Sequence, residues 1–320
     1  MEIFNPNSNI HFLGLRKYTI SLAILLVVGS LALIFSRGLN YGLDFTGGVV
    51  IEVSYQQSMD IADVRASLDK GGFEHSVVQP MGGTRDVSIR LQLKDDPEGT
   101  GSNGQPNVDK IAEDVLKALT ANGAGVKIKQ RSFVGPEVGD TLRTQGIYAT
   151  IFVIIGIMGY LWIRFERRFA IAALLTEVHD AVVTVGIFAL TQRQFDLTVL
   201  ASVMAVVGYS INDKVVVFDR VRELFRLARK AEPEEILNRS INTTLSRTIM
   251  TSLLTGISMV ALYLLGGPVV HGFAITMMIG IVVGTLSSIF IASPILLWLG
   301  VSKKDLMPRT RDNPELARRP

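Results

Sequence analysis

The grouping of apolar residues into long runs constrains this chain more than any other feature of its sequence. Hydrophobic residues make up 48% of its 320 positions. Six of the runs approach or exceed the roughly 18 residues that a membrane-spanning helix requires. They are Tyr18–Phe35, Ile147–Ile163, Phe169–Leu190, Leu197–Phe218, Ile249–Gly266 and Gly272–Leu299. The sequence therefore predicts an α-helical integral membrane protein with six transmembrane helices, the last kinked at Pro294.

The basic residues indicate how these spans are oriented. They cluster at Arg16–Lys17, Arg164–Arg168, Arg220–Lys230 and Lys303–Arg319. By the positive-inside rule, these clusters and both termini lie in the cytoplasm. The basic residues are thus explained by topology and contact with the lipid bilayer, without nucleic acid. The chain has no cysteine, which excludes disulfides and cysteine-based metal or redox chemistry.

One long connection separates the first two spans and lies on the outer side in this orientation. Its residue pattern predicts strands at Val49–Tyr55, His75–Met81, Arg85–Leu93 and Val126–Val134, and helices at Met59–Gly71 and Val108–Ala121. This β-α-β-β-α-β order favours one ferredoxin-like α+β domain on the exoplasmic side. The predicted division is 1–37 for the cytoplasmic N-terminus and first span, 38–144 for this periplasmic domain, 145–300 for spans two to six, and 301–320 for a basic cytoplasmic tail.

Asp213 lies inside the fourth apolar run, about 7 Å from its edge. A carboxylate at the centre of a span costs about 2.5–3.5 kcal/mol on insertion scales, so such residues mark functional sites by default. Lys214 follows it, and we expect the two to form a local pair near the membrane interface, with the lysine reaching the headgroups. Asn212, a polar residue, immediately precedes Asp213.

The third span holds Glu177, His179 and Asp180 near its middle. Glu177 and Asp180 are three residues apart and therefore share one helix face. One interpretation is a site that takes up and releases protons. The alternative is that a partner chain satisfies these groups and that they serve assembly.

The fifth span carries a polar stripe, and the sixth a face of small residues. The stripe comprises Thr244, Arg247 or Thr248, Thr251, Thr255 and Ser258. Such a stripe must face protein or water rather than lipid, and Arg247 lies at the same end as Asp213. We expect an Arg247–Asp213 pair between the two helices; the alternative is that Arg247 is an ordinary basic flank. In the sixth span, Thr276, Gly280, Gly284 and Ser288 are four residues apart, which is typical of close helix packing.

Several enzyme classes are disfavoured. The sequence has no phosphate-binding loop, no zinc-protease motif and no Gly-x-Ser-x-Gly elbow. We therefore expect no enzyme activity in this chain and no cofactor.

Four segments of the sequence resemble the SecF members of the SecD/SecF family of bacterial protein translocase subunits. This family belongs to the resistance-nodulation-division superfamily. The resemblance covers nearly the whole chain and is carried by these segments. They are Gly42–Gly48 (GLDFTGG), His179–Asp180, Gly208–Glu223 (GYSINDKVVVFDRVRE) and Leu245–Ser252 (LSRTIMTS). Lys214 departs from the small hydroxyl residue that we expect at its position.

The resemblance implies a function, partners and site residues. It implies a multi-pass protein of the bacterial inner membrane that pairs with SecD, associates with the SecYEG channel and uses proton flow to help pull unfolded preproteins outward. Asp213 and Arg247 match the positions that the family uses for coupling; Asn212, Glu177, His179 and Asp180 join them as candidates. The Gly-rich segment with Gly42, Gly47 and Gly48 is the candidate hinge. Two alternatives remain open: half of a proton-driven exporter of small molecules or lipids, and a passive scaffold of the translocase.

Overall fold

The structure is a computed structural model, and it describes residues 10–74, 76–81, 85–91, 107–121, 125–228 and 232–302. Residues 82–84, which separate the predicted strands His75–Met81 and Arg85–Leu93, and the predicted basic tail beyond Ser302 lie outside the described residues.

The N-terminal part leads from a first long helix into a short folded connection. A 3₁₀ turn, Phe12–Leu15, precedes α1 (Arg16–Arg37). Gly38 ends α1 at φ 70°, a conformation that favours glycine. The strand β1 (Asn40–Tyr41) and the one-turn helix α2 (Leu43–Thr46) follow.

Next comes the inserted domain, which has the predicted order strand, helix, strand, strand, helix, strand. Its elements are β2 (Gly48–Tyr55), α3 (Ile61–Lys70), β3 (Val77–Pro80), β4 (Asp86–Leu91), α4 (Val108–Thr120) and β5 (Val126–Val134). The four strands form one sheet in the order β3-β4-β2-β5, and every neighbouring pair is antiparallel. Asp60 and Asn107 begin the two helices by accepting backbone N–H bonds from Ala62 and Lys110.

The core of the inserted domain lies between the sheet and its two helices. Alternate residues of β2 are buried there because successive strand side chains point to opposite faces. The helices contribute residues three or four apart, as one helix face requires. The core members include Val49, Ile51, Val53, Tyr55, Val64, Leu68, Val87, Ile89, Ala112, Val115 and Leu119.

The second half of the chain is helical. Its elements are α5 (Pro136–Arg164), α6 (Arg167–Thr191), β6 (Gln194–Phe195), α7 (Leu197–Leu227), α8 (Pro233–Leu265) and α9 (Pro268–Ser287), then a π-helical turn (Ser288–Ala292) and α10 (Ser293–Trp298). Within the described residues, six helical segments are long and apolar enough to cross a membrane. The prediction of six helices with the length and composition of membrane spans is therefore confirmed. Three helices extend well beyond their apolar runs: α5 begins 11 residues before Ile147, α7 continues past Phe218 to Leu227, and α8 begins 16 residues before Ile249.

The regular α-helix of the last span is interrupted where a kink was predicted. A π-helical turn occupies Ser288–Ala292, immediately before Ser293 and Pro294. Proline has no N–H to donate to the preceding turn, and π-turns inside helices are one of the recognised causes of helix bending.

The six long helices differ in how much of their surface is enclosed. Helices α6, α7 and α9 form the interior of the bundle, whereas α1, α5 and α8 leave most of their apolar side chains exposed. At one end, Phe165, Phe169 and Phe218 pack edge-to-face or stacked. Two of the enclosed helices, α6 and α7, carry the buried ionisable side chains Glu177, His179, Asp180, Asp213 and Lys214.

Candidate functional site

Lys214 on α7 lies at the centre of a buried ionic cluster. Its side chain is fully buried. Its ammonium Nζ lies 2.5 Å from Glu177 Oε1, 2.7 Å from Asp180 Oδ2 and 2.8 Å from Ser210 Oγ. A lysine ammonium has three protons to donate, and all three have acceptors here.

Asp180 on α6 joins three helices. Its Oδ2 accepts hydrogen bonds from Lys214 on α7 at 2.7 Å, from Ser210 on α7 at 2.6 Å and from Ser287 on α9 at 2.7 Å. His179 Nδ1 lies 2.9 Å from the other oxygen, Oδ1. Helix spacing explains the convergence, because residues three or four positions apart lie on one face, as Glu177 and Asp180 do on α6 and Ser210 and Lys214 do on α7.

The cluster is one positive charge short when its groups are ionised. Glu177, Asp180 and Lys214 are all buried, with two carboxylates against one ammonium. Among the described residues, Glu177 Oε2 and His179 Nε2 are buried without a hydrogen-bond partner. A buried polar atom that lacks a partner costs about 1–3 kcal/mol. The arrangement therefore retains two costly polar atoms beside an excess negative charge, which one bound proton would neutralise.

Asp213 is buried next to this cluster but faces a different helix. Its carboxylate is close enough to α8 to interact with Thr251, Ser252 and Arg247. Its Oδ2 has no hydrogen-bond partner in the part of the chain that the structure describes. Asp213 is thus a second buried acidic position, one helix interface away from Asp180.

The expected pair between Asp213 and Arg247 is not formed directly. Within the described ranges, no Arg247 nitrogen lies within 4.0 Å of an Asp213 oxygen, and Arg247 is exposed. The attraction between the two charges therefore acts over a longer distance. Asn212 is exposed as well and takes no part in the cluster.

The expectation for Lys214 was wrong. We predicted a local pair with Asp213 and a side chain that reaches the membrane interface, whereas the lysine turns inward and pairs with Glu177 and Asp180. Successive helix residues point about 100° apart, because a turn takes 3.6 residues. Lys214 consequently faces α6 while Asp213 faces α8.

Two serines of the cluster were missed by sequence reasoning. Ser210 lies one helical turn before Lys214, and that spacing was a usable signal. Ser287 lies one position before Ser288, which we had assigned to the small-residue face of the last span. A serine in an apolar run gives little information until the neighbouring helix is known.

The small-residue face itself is confirmed as a packing surface. A Cβ on Gly280 would lie 2.2 Å from Val206 Cγ2, and one on Gly284 would lie 2.7 Å from Ser210 Oγ. Both contacts are closer than carbon and oxygen atoms tolerate. Glycine at these two positions lets α9 approach α7 closely enough for Ser287 to reach Asp180.

The polar stripe on α8 is only partly enclosed. From Thr244 to Ser258, the buried hydroxyl residues are Thr244, Thr248 and Ser252, whereas Ser258 is exposed. Ser252 Oγ lies 2.7 Å from Thr285 Oγ1, which joins α8 to α9. The predicted stripe continued through Thr251, but the buried residue at that level is its neighbour Ser252.

The Gly-rich segment after α1 is attached to the start of α7. The strands β1 and β6 pair in parallel, and Gly42 N–H donates to Phe195 O at 2.7 Å. Asp44 Oδ2 accepts the N–H of Leu197, the first residue of α7, at 3.0 Å. Gly47 and Gly48 have φ angles of 64° and 117°, so glycine is favoured at both. The candidate hinge is therefore a folded, hydrogen-bonded connection in this state.

The fold and the site together define a six-span integral membrane protein with an ionisable cluster enclosed between its helices. The family model described as protein export membrane protein SecD/SecF, C-terminal, matches residues 114–302, and the SecD/SecF GG motif matches residues 32–59. The chain belongs to the SecD/SecF family.

Relatives and solved structures agree with this assignment. The chain is 43% identical to the protein translocase subunit SecF of Pseudomonas aeruginosa, over 93% of this chain and 94% of that protein. It is 39% identical to the SecF subunit of Escherichia coli O157:H7, over 88% and 85% of the two chains.

Among solved structures, SecDF from Thermus, described as a translocon-associated membrane protein, is similar with a TM-score of 0.81 and 32% identity. A SecDF structure in a super-membrane-facing form gives a TM-score of 0.66. The similarity covers 92% of this chain and 39% of the Thermus SecDF chain, so this chain spans about two fifths of it.

Proposed function

We propose that this chain is an accessory subunit of the Sec protein-export machinery that works with SecD and uses the proton-motive force to help pull preproteins across the membrane at a late stage. The observation that carries this proposal is the enclosed cluster of two carboxylates and one ammonium in a chain of the SecD/SecF family. Ionisable groups inside a membrane bundle typically belong to ion or proton pathways.

The charge balance of the site supports proton coupling. A proton on the cluster would neutralise the excess carboxylate of Glu177 or Asp180, with His179 beside it as a relay. A proton on Asp213 would remove its attraction for Arg247 and so weaken one electrostatic contact between α7 and α8. We place Asn212 beside this route as a polar residue of the same motif.

The available energy is sufficient for such a mechanism. One charge that crosses the membrane potential is worth about 2.3 kcal/mol per 100 mV. An energy of this size shifts a two-state equilibrium severalfold to tens of fold. The connection between Asp44 and the first residue of α7 gives a route by which a movement of α7 would reach the inserted domain, with Gly42, Gly47 and Gly48 as the hinge.

We further propose the location and partners of the chain. Basic residues flank one end of the spans, which supports the inner membrane of a bacterial cell, with both termini in the cytoplasm and the inserted domain in the periplasm. Its antiparallel strand order and two covering helices support a ferredoxin-like domain. The exposed apolar faces of α1, α5 and α8 would contact lipid and SecD, and the SecYEG channel and the unfolded preprotein complete the set of partners.

The decisive experiment measures potential-dependent export in inverted membrane vesicles that carry Asp213→Asn. We expect the variant to lose the stimulation of late export by the proton-motive force. Asp219→Asn is the matched control, since Asp219 lies on the same helix but pairs with Arg164 and Arg222 outside the cluster. Stimulation that is unchanged in Asp213→Asn would leave the passive scaffold as the better function.

A second experiment identifies the partners. The chain is purified from its native membrane under mild conditions, and the proteins that remain bound are identified by mass spectrometry. We expect a SecD-like partner. Recovery of the chain without one would contradict the assembly and would favour the small-molecule exporter.

A further inference from the structure

The oxygen atoms around the Lys214 ammonium form a site of the kind that binds a small cation. Two carboxylate oxygens and one hydroxyl oxygen surround Nζ at 2.5–2.8 Å. The Ser287 hydroxyl lies next to them, bound to Asp180 Oδ2 at 2.7 Å. Carboxylate and hydroxyl oxygens are the ligands that hard metal cations prefer.

The oxygen atoms of Glu177, Asp180 and Ser210 around Nζ are called the oxygen cage below. Their surroundings are more typical of an ion-binding site than of a structural salt bridge. The Lys214 and Asp180 side chains are fully buried, and Glu177 is 4% exposed. A single buried pair would be satisfied by one carboxylate, but here two converge on one cation. Glu177 Oε2 is also buried and has no partner among the described residues, so the cage contains one more oxygen than the ammonium uses.

We propose that Lys214 is the built-in cation of a monovalent-cation site, and that it keeps free sodium or potassium out of the space between Glu177, Asp180 and Ser210. The ammonium is attached to α7, so it occupies the site as an intramolecular ligand, and a free ion must displace it to bind. Lys214 then determines ion selectivity: the cage holds its own cation, and protons are left to change its charge.

The binding part of this inference stands on the geometry alone. Its consequence for export, namely that stimulation depends on protons and is indifferent to sodium, rests on the proposed function. The two can therefore fail separately, and the test below measures ion binding without measuring export.

The test uses the full chain, purified in detergent, and compares Lys214→Ser with wild type. Thermal unfolding is followed in sodium, lithium, potassium and choline chloride at equal ionic strength. We expect the midpoint of Lys214→Ser to rise with the logarithm of the concentration of at least one metal ion relative to choline, because a ligand that binds only the folded state stabilises it by mass action. Wild type should show no such ion-specific rise.

Two further variants make the result specific. Lys214→Met fills the space with an uncharged side chain and should show no ion-specific shift. Lys214→Ser combined with Glu177→Gln has the same net charge in the cluster as wild type, and it should retain an ion-specific shift even where the single variant folds poorly.

The proposal is overturned if both serine-containing variants unfold at the same temperature in choline and in all three metal salts. It is equally overturned if neither variant folds at high metal-ion concentration, since a free ion then cannot replace the ammonium. An ion-specific rise in wild type equal to that of Lys214→Ser would also contradict it, because the lysine would not be excluding the ion.

Discussion

The ammonium of Lys214 lies 2.7 Å from Asp180 Oδ2, and both side chains are fully buried between α6 and α7. The same carboxylate oxygen accepts the Ser287 hydroxyl from α9. One oxygen atom thus connects the three most enclosed helices of the bundle. A change at Asp180 should therefore affect the packing of all three helices as well as the charge of the site.

Asp180→Asn tests how much this connection between the three helices contributes to the stability of the fold. The amide keeps the size of the side chain but removes its charge, so Lys214 retains Glu177 as its single anionic partner. No buried charge is left without a partner, so we expect less than the roughly 3–5 kcal/mol that breaking a buried pair costs. The expected loss is about 1.5–3 kcal/mol, because the hydrogen bonds that Asp180 Oδ2 accepts are no longer charge-assisted. The measurement is the free energy of unfolding of the purified chain.

The matched control for Asp180→Asn is Asp219→Asn, which removes a carboxylate that is 40% exposed. Exposed pairs contribute about 0–1 kcal/mol. Equal destabilisation by the two substitutions would show that the buried pair contributes no more than a surface pair.

Gly284→Ala tests the close approach of α9 to α7. The added methyl would lie 2.7 Å from Ser210 Oγ and 3.0 Å from Ser210 Cβ, which forces the helices apart or turns Ser210 away from Asp180. Overpacking of this kind costs about 1–3 kcal/mol. We expect a lower thermal midpoint and faster hydrogen exchange in the middle of α7.

Gly208→Ala on α7 is the control, because nothing lies within 4 Å of a Cβ there. Alanine in an open helical position should be neutral or stabilising, by up to about 1 kcal/mol. If Gly284→Ala behaved in the same way, the packing at Ser210 would not be as close as the structure has it.

The spans and the elements of the inserted domain could be predicted from the sequence because each follows a local pattern. Apolar runs of sufficient length predict spans, and alternation or a period of 3.6 distinguishes strands from helices. The carboxylates Glu177 and Asp180 were also found in this way, since charge inside an apolar run is conspicuous.

The partners of those carboxylates could not be predicted, because they depend on which helix faces which. Lys214 and Asp213 are adjacent in sequence but point to different helices. Ser287 reaches Asp180 across 107 residues. The folded state of the Gly42–Gly48 connection depends on a pairing with Phe195 and Leu197, which no local pattern reveals.

The inserted domain should have a measurable dependence on acid through Asp86. A hydrogen bond from Lys129, at 2.7 Å, together with one from Ser54, lowers the pKa of Asp86. A carboxyl whose pKa is lower in the folded state stabilises the fold above its unfolded pKa of about 3.9, and that stability is lost as the pH falls through the folded pKa. Because the Asp86–Lys129 pair is partly exposed, we expect it to contribute about 0.2–1 kcal/mol to the free energy of unfolding.

The measurement compares wild type with Asp86→Asn by hydrogen exchange of β4 and β5 amides at neutral and at acidic pH. The variant should exchange faster than wild type at neutral pH, and the difference should shrink in acid. Asp109→Asn serves as the control, because Asp109 pairs with Arg131 at a more exposed position. A difference between wild type and Asp86→Asn that grows in acid would reverse the sign of this argument.

Asp44→Ala tests the attachment of the Gly-rich connection to α7. Asp44 Oδ2 accepts the N–H of Leu197 at 3.0 Å, while Asp196 accepts the N–H of Val199 at 2.8 Å. Two carboxylates therefore satisfy backbone donors in the first turn of the helix that bears Asp213 and Lys214. Loss of a capping carboxylate costs about 0.5–2 kcal/mol.

We expect Asp44→Ala to speed hydrogen exchange at the Leu197 amide while the Val199 amide, still bound to Asp196, changes less. Asp60→Ala is the control, since Asp60 caps α3 inside the inserted domain and should leave α7 unaffected. If movement of α7 is passed to the inserted domain through this bond, Asp44→Ala should also reduce potential-dependent export without weakening the Lys214–Asp180 pair. Export at the wild-type level with a frayed first turn of α7 would show that the coupling runs by another path, such as the pairing of β1 with β6.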